Sequence, residues 1–262
     1  MAEPKKHTPN NLGEYINTVS DFRKGRKKIW LRGLSDQSHK LIPSLFRRKG
    51  LNASDFTKLE KDLLVRFKDR SLPYIKNTPA DDWGWLFFMQ HYGVPTRLLD
   101  WSENPLVALF FATKYAKKNN RNNYRSEAVV WMVDPDKWNN ETLEFQSYSG
   151  GVLNTDEDQL RGFKPPADLE SIPQYCLSLY GAHNSSRIVA QRGSFFIFGH
   201  HSHPMEDIYK SYTKTDCLQK IVIEKDRIED ICKELLDSGI TESVIFPDLE
   251  GLAHEIKREF GF

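Results

Sequence analysis

The chain has 262 residues, with 37 basic and 36 acidic side chains and a net charge of +1, so no bulk charge draws it to nucleic acid or acidic membranes. Hydrophobic residues make up 39% and aromatics 12%, enough for one sizeable core and too much for a disordered chain. Three scattered cysteines, Cys176, Cys217 and Cys232, form neither a disulfide framework nor a thiolate metal site. The opening MAEPKKHTPN is polar with no apolar run behind it, and no stretch reaches bilayer length. A reducing cytoplasm is the expected compartment, with no membrane partner.

In chain order, residues 1–10 read as a loose arm and 11–262 as one domain. From Asn11, the residues Leu12, Tyr15, Ile16, Val19 and Phe22 recur at helical spacing. KIWLRGL (28–34) has the apolar flanks of a buried strand, with Arg32 in its middle. LIPSLFRR (41–48) is broken by Pro43 into a turn, and Phe56, Leu59, Leu63 and Phe67 give a helix over about 54–72 one apolar face. Thr78 as cap, Pro79 in the first turn and Asp81 completing a capping box predict a helix ending at Gly93. TRLLDW (96–101) is a short strand, and Ser102 or Asn104 caps a helix that begins at Pro105. EAVVWMV (127–133) is a central strand stopped by Asp134–Pro135, after which residues 139–172 read as a long loop or lid. GSFFIFG (193–199) and LQKIVIE (218–224) are strands, a helix runs through Leu236 to Gly239, and SVIFPD (243–248) is expected as a last strand before a C-terminal helix. Strands mixed with helices, without regular βαβ alternation, place the chain in the α+β class.

Three stretches carry residues suited to chemistry. In WLRG (30–33) a guanidinium keeps its charge, so burying it demands a carboxylate, phosphate or carbonyl. Arg32 either pairs with Asp100 or Glu60 to fix the fold or clamps a phosphate-bearing ligand, and Gly33 permits close approach by a backbone or a ligand. QHYGVPTRLLDWSENPLVALFFA (90–112) gathers His91, Arg97, Asp100, Trp101 and Ser102 around one strand. Alternation puts Arg97, Leu99 and Trp101 on one face and Thr96, Leu98, Asp100 and Ser102 on the other. Thr96, Asp100 and Ser102 then form a polar wall beside a helix N-terminus; alternatively Ser102 and Asn104 only cap, and Asp100 only pairs with an arginine. In SRIVAQRGSFFIF (186–198), Gln191 offers a donor and an acceptor to a ribose or amide, or ties down a loop. GHHSHP (199–204) lacks the ligand spacing of a zinc hydrolase, so no metal is expected at His200, His201 and His203. The basic runs RRK (47–49) and KK (117–118) read as solvated surface, and Trp83, Trp85, Phe87 and Phe88 as core.

These stretches, with the closing IFPDLEGLAHEIK, resemble the landmarks of the FRG domain family over about residues 11–260. Leu31 stands at the family's name-giving Phe. FRG domains themselves resemble the ADP-ribosyltransferase fold, which implies a mixed or antiparallel sheet core flanked by helices and a site that uses NAD as a substrate. Carried over, Arg32 sits on the first strand, Ser102 on a second strand ahead of Ala108–Ala112, and Gln191 where those enzymes place a Glu. The resemblance implies an NAD-utilising ADP-ribosyltransferase-like or NAD-cleaving domain. Arg32, Asp100, Ser102 and Gln191 would act in the reaction; Arg32, Gly33, Tyr92, Thr96, Arg97 and Trp101 would hold the dinucleotide, with Trp101 or Tyr92 stacked on a ring. Similar domains occur in bacterial and phage conflict systems, which suggests a toxin or anti-phage effector acting on a protein, nucleic-acid or water acceptor. Gln191 supplies no negative charge, which fits two alternatives: a non-catalytic nucleotide- or ADP-ribose-binding module, or a scaffold for a partner protein in which Arg32 and Asp100 form a structural pair.

Overall fold

The computed structural model describes residues 3–48, 50, 52–144, 146–181, 186–212 and 216–262. Lys49 of the basic run 47–49 lies outside them. In chain order the elements are β1 (Lys5–His7), α1 (Leu12–Arg23), β2 (Trp30–Leu34), α2 (Ala53–Ser71), α3 (Asp82–His91), β3 (Leu98–Ser102), α4 (Pro105–Lys114), β4 (Ala128–Val133), α5 (Pro135–Thr142), β5 (Cys176–Leu179), α6 (Ser186–Gln191), β6 (Gly193–Phe198), α7 (Met205–Tyr209), β7 (Leu218–Ile223), α8 (Ile228–Asp237), α9 (Glu242–Ile245) and α10 (Leu249–Glu259). Short 3₁₀ turns occupy Ser44–Arg47, Leu72–Tyr74 and Asp158–Phe163.

Helix starts follow the short polar side chains. Asn11, Asn52, Asp81, Asn104, Asp134 and Asp248 each accept a backbone N–H at the head of α1, α2, α3, α4, α5 and α10. Each such cap contributes about 1 kcal/mol. For α3 the cap is Asp81 and not Thr78, because Asp81 itself accepts from the Gly84 N–H. Gly93, at φ +74°, turns the chain out of α3 in the left-handed region that a glycine tolerates.

Seven strands form one mixed sheet in the order β1-β7-β4-β2-β3-β6-β5. Only β1 and β7 run parallel; the other neighbours are antiparallel. Helices cover both faces, so the architecture is α+β. One face carries Trp30, Leu34, Leu99, Trp101, Val129, Trp131, Phe196 and Phe198 into the largest core cluster, covered by the 41–56 segment and α7. The opposite face is divided. Leu31, Val130, Met132, Ile221 and Ile223 pack under α1, α4 and α8, whereas Leu98, Leu177, Leu179, Phe195 and Ile197 pack under α3 and the 158–163 turn. The division falls between β2 and β3. Among the described residues no helix is long and apolar enough to cross a membrane.

Three further expectations change. Within the stretch expected as a loose arm, Lys5–His7 pairs with Gln219–Ile221 as an edge strand whose polar side chains carry no periodic signal. The SVIFPD segment begins in α9 instead of a strand: Glu242 is buried between Lys114 (2.5 Å) and Arg258 (3.0 Å), and Val244 is exposed. Residues 139–172 are no open lid throughout, since α5 continues to Thr142 and Leu160 and Phe163 are buried.

Candidate functional site

Strand β2 pairs with β4 along its whole length, Trp30–Leu34 against Val133–Val129. It meets β3 only at Leu31 opposite Ser102. Past that point the strands part and the sheet forks. Arg32 bridges the fork: its Nη1 donates to the Asp100 backbone carbonyl and lies 3.7 Å from Asp100 Oδ2. A side-chain guanidinium thus stands in for a ladder hydrogen bond. On the other side of β2, a Cβ on Gly33 would lie 1.8 Å from Ala108 O and 2.7 Å from Ala112 N. The close approach that Gly33 permits is therefore that of the α4 backbone.

A cavity of about 230 Å³ opens at the fork, exactly where the divided face leaves room between α4 and α3. Arg32, Gly33, Asp100, Trp101, Ser102 and Gln191 all border it. Asp100 is its one lining carboxylate, half-exposed, and accepts from Gln90 Nε2 at 2.7 Å. Ser102 Oγ donates to the Gln191 carbonyl at 2.6 Å and accepts from the Asn104 N–H at 3.0 Å, so its hydroxyl stitches β3 to the end of α6. Gln191 Nε2 donates to the Ile245 carbonyl at 3.2 Å. Arg192 follows with φ +46°, a left-handed turn for a non-glycine residue that swings the chain from α6 into β6.

Three other residues expected at the site, Thr96, Arg97 and Tyr92, stand apart from it, and Trp101 borders it while its ring packs in the core. Thr96 and Arg97 are fully buried and do not line the cavity. Arg97 is held by Glu60 and two backbone carbonyls. The Trp101 indole is buried and packs on Phe196 in the core, 5.7 Å between centroids. Tyr92 is exposed, set edge-on against Phe88 and His91, and outside the lining.

A profile of the FRG domain family matches residues 27–121, which run from just before β2 to just beyond α4. The chain carries an FRG domain. No curated protein and no solved structure gave a match. The FRG segment supplies Arg32, Gly33, Asp100 and Ser102, the residues that frame the fork. Arg187, Gln191 and Phe195 come from beyond the matched residues, so the rest of the chain completes the FRG cavity.

Sequence reasoning missed two lining groups inside motifs it had marked. Gln90 opens the QHYG run; Thr96 Oγ1 donates to its Oε1, which turns Nε2 toward Asp100. The buried Thr96 therefore acts on the site through Gln90. Arg187 lies four residues before Gln191 and rests on the Phe246 ring at 4.5 Å. Burial lowers the pKa of His91, Arg187 lowers it further and Asp248 opposes them, so the imidazole is neutral at pH 7. For Arg32, burial is the largest influence and lowers the pKa; Asp100 raises it and Arg47 lowers it. The guanidinium stays charged. Elsewhere, His201 Nδ1 and His203 Nδ1 lie 2.8 Å apart, and among the described residues no group of three His, Cys, Asp or Glu is placed to hold a metal.

Proposed function

We propose that the FRG cavity binds the nicotinamide–ribose half of NAD and that the protein is an ADP-ribosyltransferase-like or NAD-cleaving enzyme. The observation that carries this reading is the facing of Arg32 and Asp100 across the sheet fork, at a cavity that also takes in Ser102 and Gln191. Arg32 has spent one bond on a backbone carbonyl and is matched only by a half-exposed carboxylate 3.7 Å away. A phosphate still gains from approaching it. The cavity, about 230 Å³, is smaller than the ~300–1,000 Å³ of pockets that bury drug-sized ligands. It suits one ring and one sugar, with the phosphates at Arg32.

When the N-glycosidic bond breaks, its electron pair leaves with nicotinamide and positive charge develops on the ribose. Asp100 supplies the negative charge that Gln191 lacks. Gln191, tied through Nε2, offers its amide oxygen to a ribose hydroxyl. Water, or a hydroxyl or amine of a protein or nucleic acid, adds to the sugar carbon through its lone pair and releases its proton to solvent. The likeness of FRG domains to components of bacterial and phage conflict systems extends this reading to a toxin or anti-phage effector.

A second reading is binding of ADP-ribose or another nucleotide without turnover. It is favoured by the internal bonds that engage Ser102 Oγ and Gln191 Nε2. Incubation with NAD and assay of released nicotinamide separates the two. The enzymatic reading expects release that Asp100→Asn cuts by about 10²-fold or more. No release, together with thermal stabilisation by ADP-ribose, supports the second. Neither release nor stabilisation contradicts both.

A further inference from the structure

Asp100 and Arg32 also form the wall of another space. A second cavity, of about 220 Å³, shares Arg32, Gln90 and Asp100 with the first and is completed by Ser44, Arg47 and Gly93 among others. Among the described lining residues two guanidinium groups thus border one cavity with Asp100 as the one acid, an excess of one positive charge. Arg47, in the Ser44–Arg47 turn, is anchored by the Ile42 carbonyl, which accepts from both Nε and Nη2 at 3.3 Å. That contact orients the side chain without neutralising it. Arg32 Nε, for its part, is buried with no acceptor among the described residues. That nitrogen adds to the incomplete neutralisation of the Arg32 side chain; like charges sharing a cavity repel, and an anion there relieves that repulsion.

We propose that this second cavity is a phosphate subsite and that the ligand is a diphosphate, one phosphate meeting Arg32 at the fork and the next held by Arg47. The inference rests on the nucleotide reading above and narrows it to pyrophosphate-bearing ligands over nucleoside monophosphates. Arg47 is exposed, so replacing it leaves the core intact, and the adjacent exposed Arg48 borders neither cavity.

The test is calorimetric titration of the full chain with ADP-ribose and with AMP. Arg47→Ala is expected to weaken ADP-ribose binding about tenfold or more, with AMP binding absent or unchanged, while Arg48→Ala alters neither. An unchanged ADP-ribose affinity in Arg47→Ala removes the subsite and leaves the nucleotide reading standing. An equal loss for both ligands, or the same loss in Arg48→Ala, also overturns it. Should the wild-type protein bind neither nucleotide, that reading falls, and inorganic pyrophosphate decides the subsite. Pyrophosphate binding weakened tenfold by Arg47→Ala sustains it; no pyrophosphate binding ends it.

Discussion

Arg32 lies on β2 and Arg97 immediately precedes the neighbouring strand β3, and their surroundings differ in kind. Arg97 is fully buried, with Nε on Glu60 Oε1 at 2.6 Å and its two other nitrogens on the carbonyls of Phe198 and Phe163 at 2.9 Å. The second oxygen of Glu60 accepts the Ala167 N–H at 2.6 Å. This pair is closed on itself and clamps α2, the entry to β3 and the end of the 158–163 turn. Arg32, by contrast, keeps 17% of its side chain exposed and borders two cavities; one nitrogen bonds a carbonyl, while Nε has no acceptor among the described residues. Burial alone does not mark an arginine as functional. Incomplete neutralisation beside open space is what supports the ligand role proposed for Arg32.

The comparison breaks most visibly at the closed pair. Glu60→Ala leaves the Arg97 charge buried and unpaired, and is expected to lower stability by about 3–5 kcal/mol, read by denaturant unfolding. A loss below about 1 kcal/mol would show that the pair is not structural. Gly33→Ala comes next. The added methyl collides with the α4 backbone, so a loss of about 3 kcal/mol is expected together with loss of ligand binding, because α4 also walls the cavity. Binding retained at full strength would separate the helix packing from the site.

The smallest effect is a pH dependence at His91. Its folded pKa lies below the ordinary value of 6.5 through burial and Arg187, with Asp248 opposing. Between the two values the unfolded chain binds more protons, so stability is full above pH 6.5 and falls as pH drops through that window. The change is expected to be small, and His91→Gln to flatten it. An unaltered pH profile in that variant would place the titration elsewhere.

Much of the sheet was legible because its buried strands carry continuous apolar runs: β4 is buried at every position, and β6 at every position after Gly193. The edge strand Lys5–His7 was not, since an edge needs no apolar pattern and its pairing with β7 is a property of the whole fold. In α9 the β-branched run of SVIFPD pointed to a strand, and the Lys114–Glu242–Arg258 contacts decided for a helical turn. Within the site, strand alternation had put Trp101 on the face opposite Asp100, and its indole is indeed in the core. Expecting that ring to stack on a ligand ran against the same rule. Thr96 and Arg97 precede the first residue of β3, so alternation gave no hold on them, and partners distant in sequence fixed both. Arg187 escaped notice and Arg47 was read as solvated surface, because what distinguishes them is the space they face, which no motif records.

The central claim is that Arg32 serves a ligand where Arg97 serves the fold. Thermal unfolding of the wild-type protein and of Arg32→Ala, each with and without ADP-ribose, tests it most directly. Saturating ligand at 100 times its Kd is expected to stabilise the wild type by about 2.7 kcal/mol, while Arg32→Ala folds cooperatively and gains nothing. Equal stabilisation of the two proteins, or none of the wild type, would contradict the account.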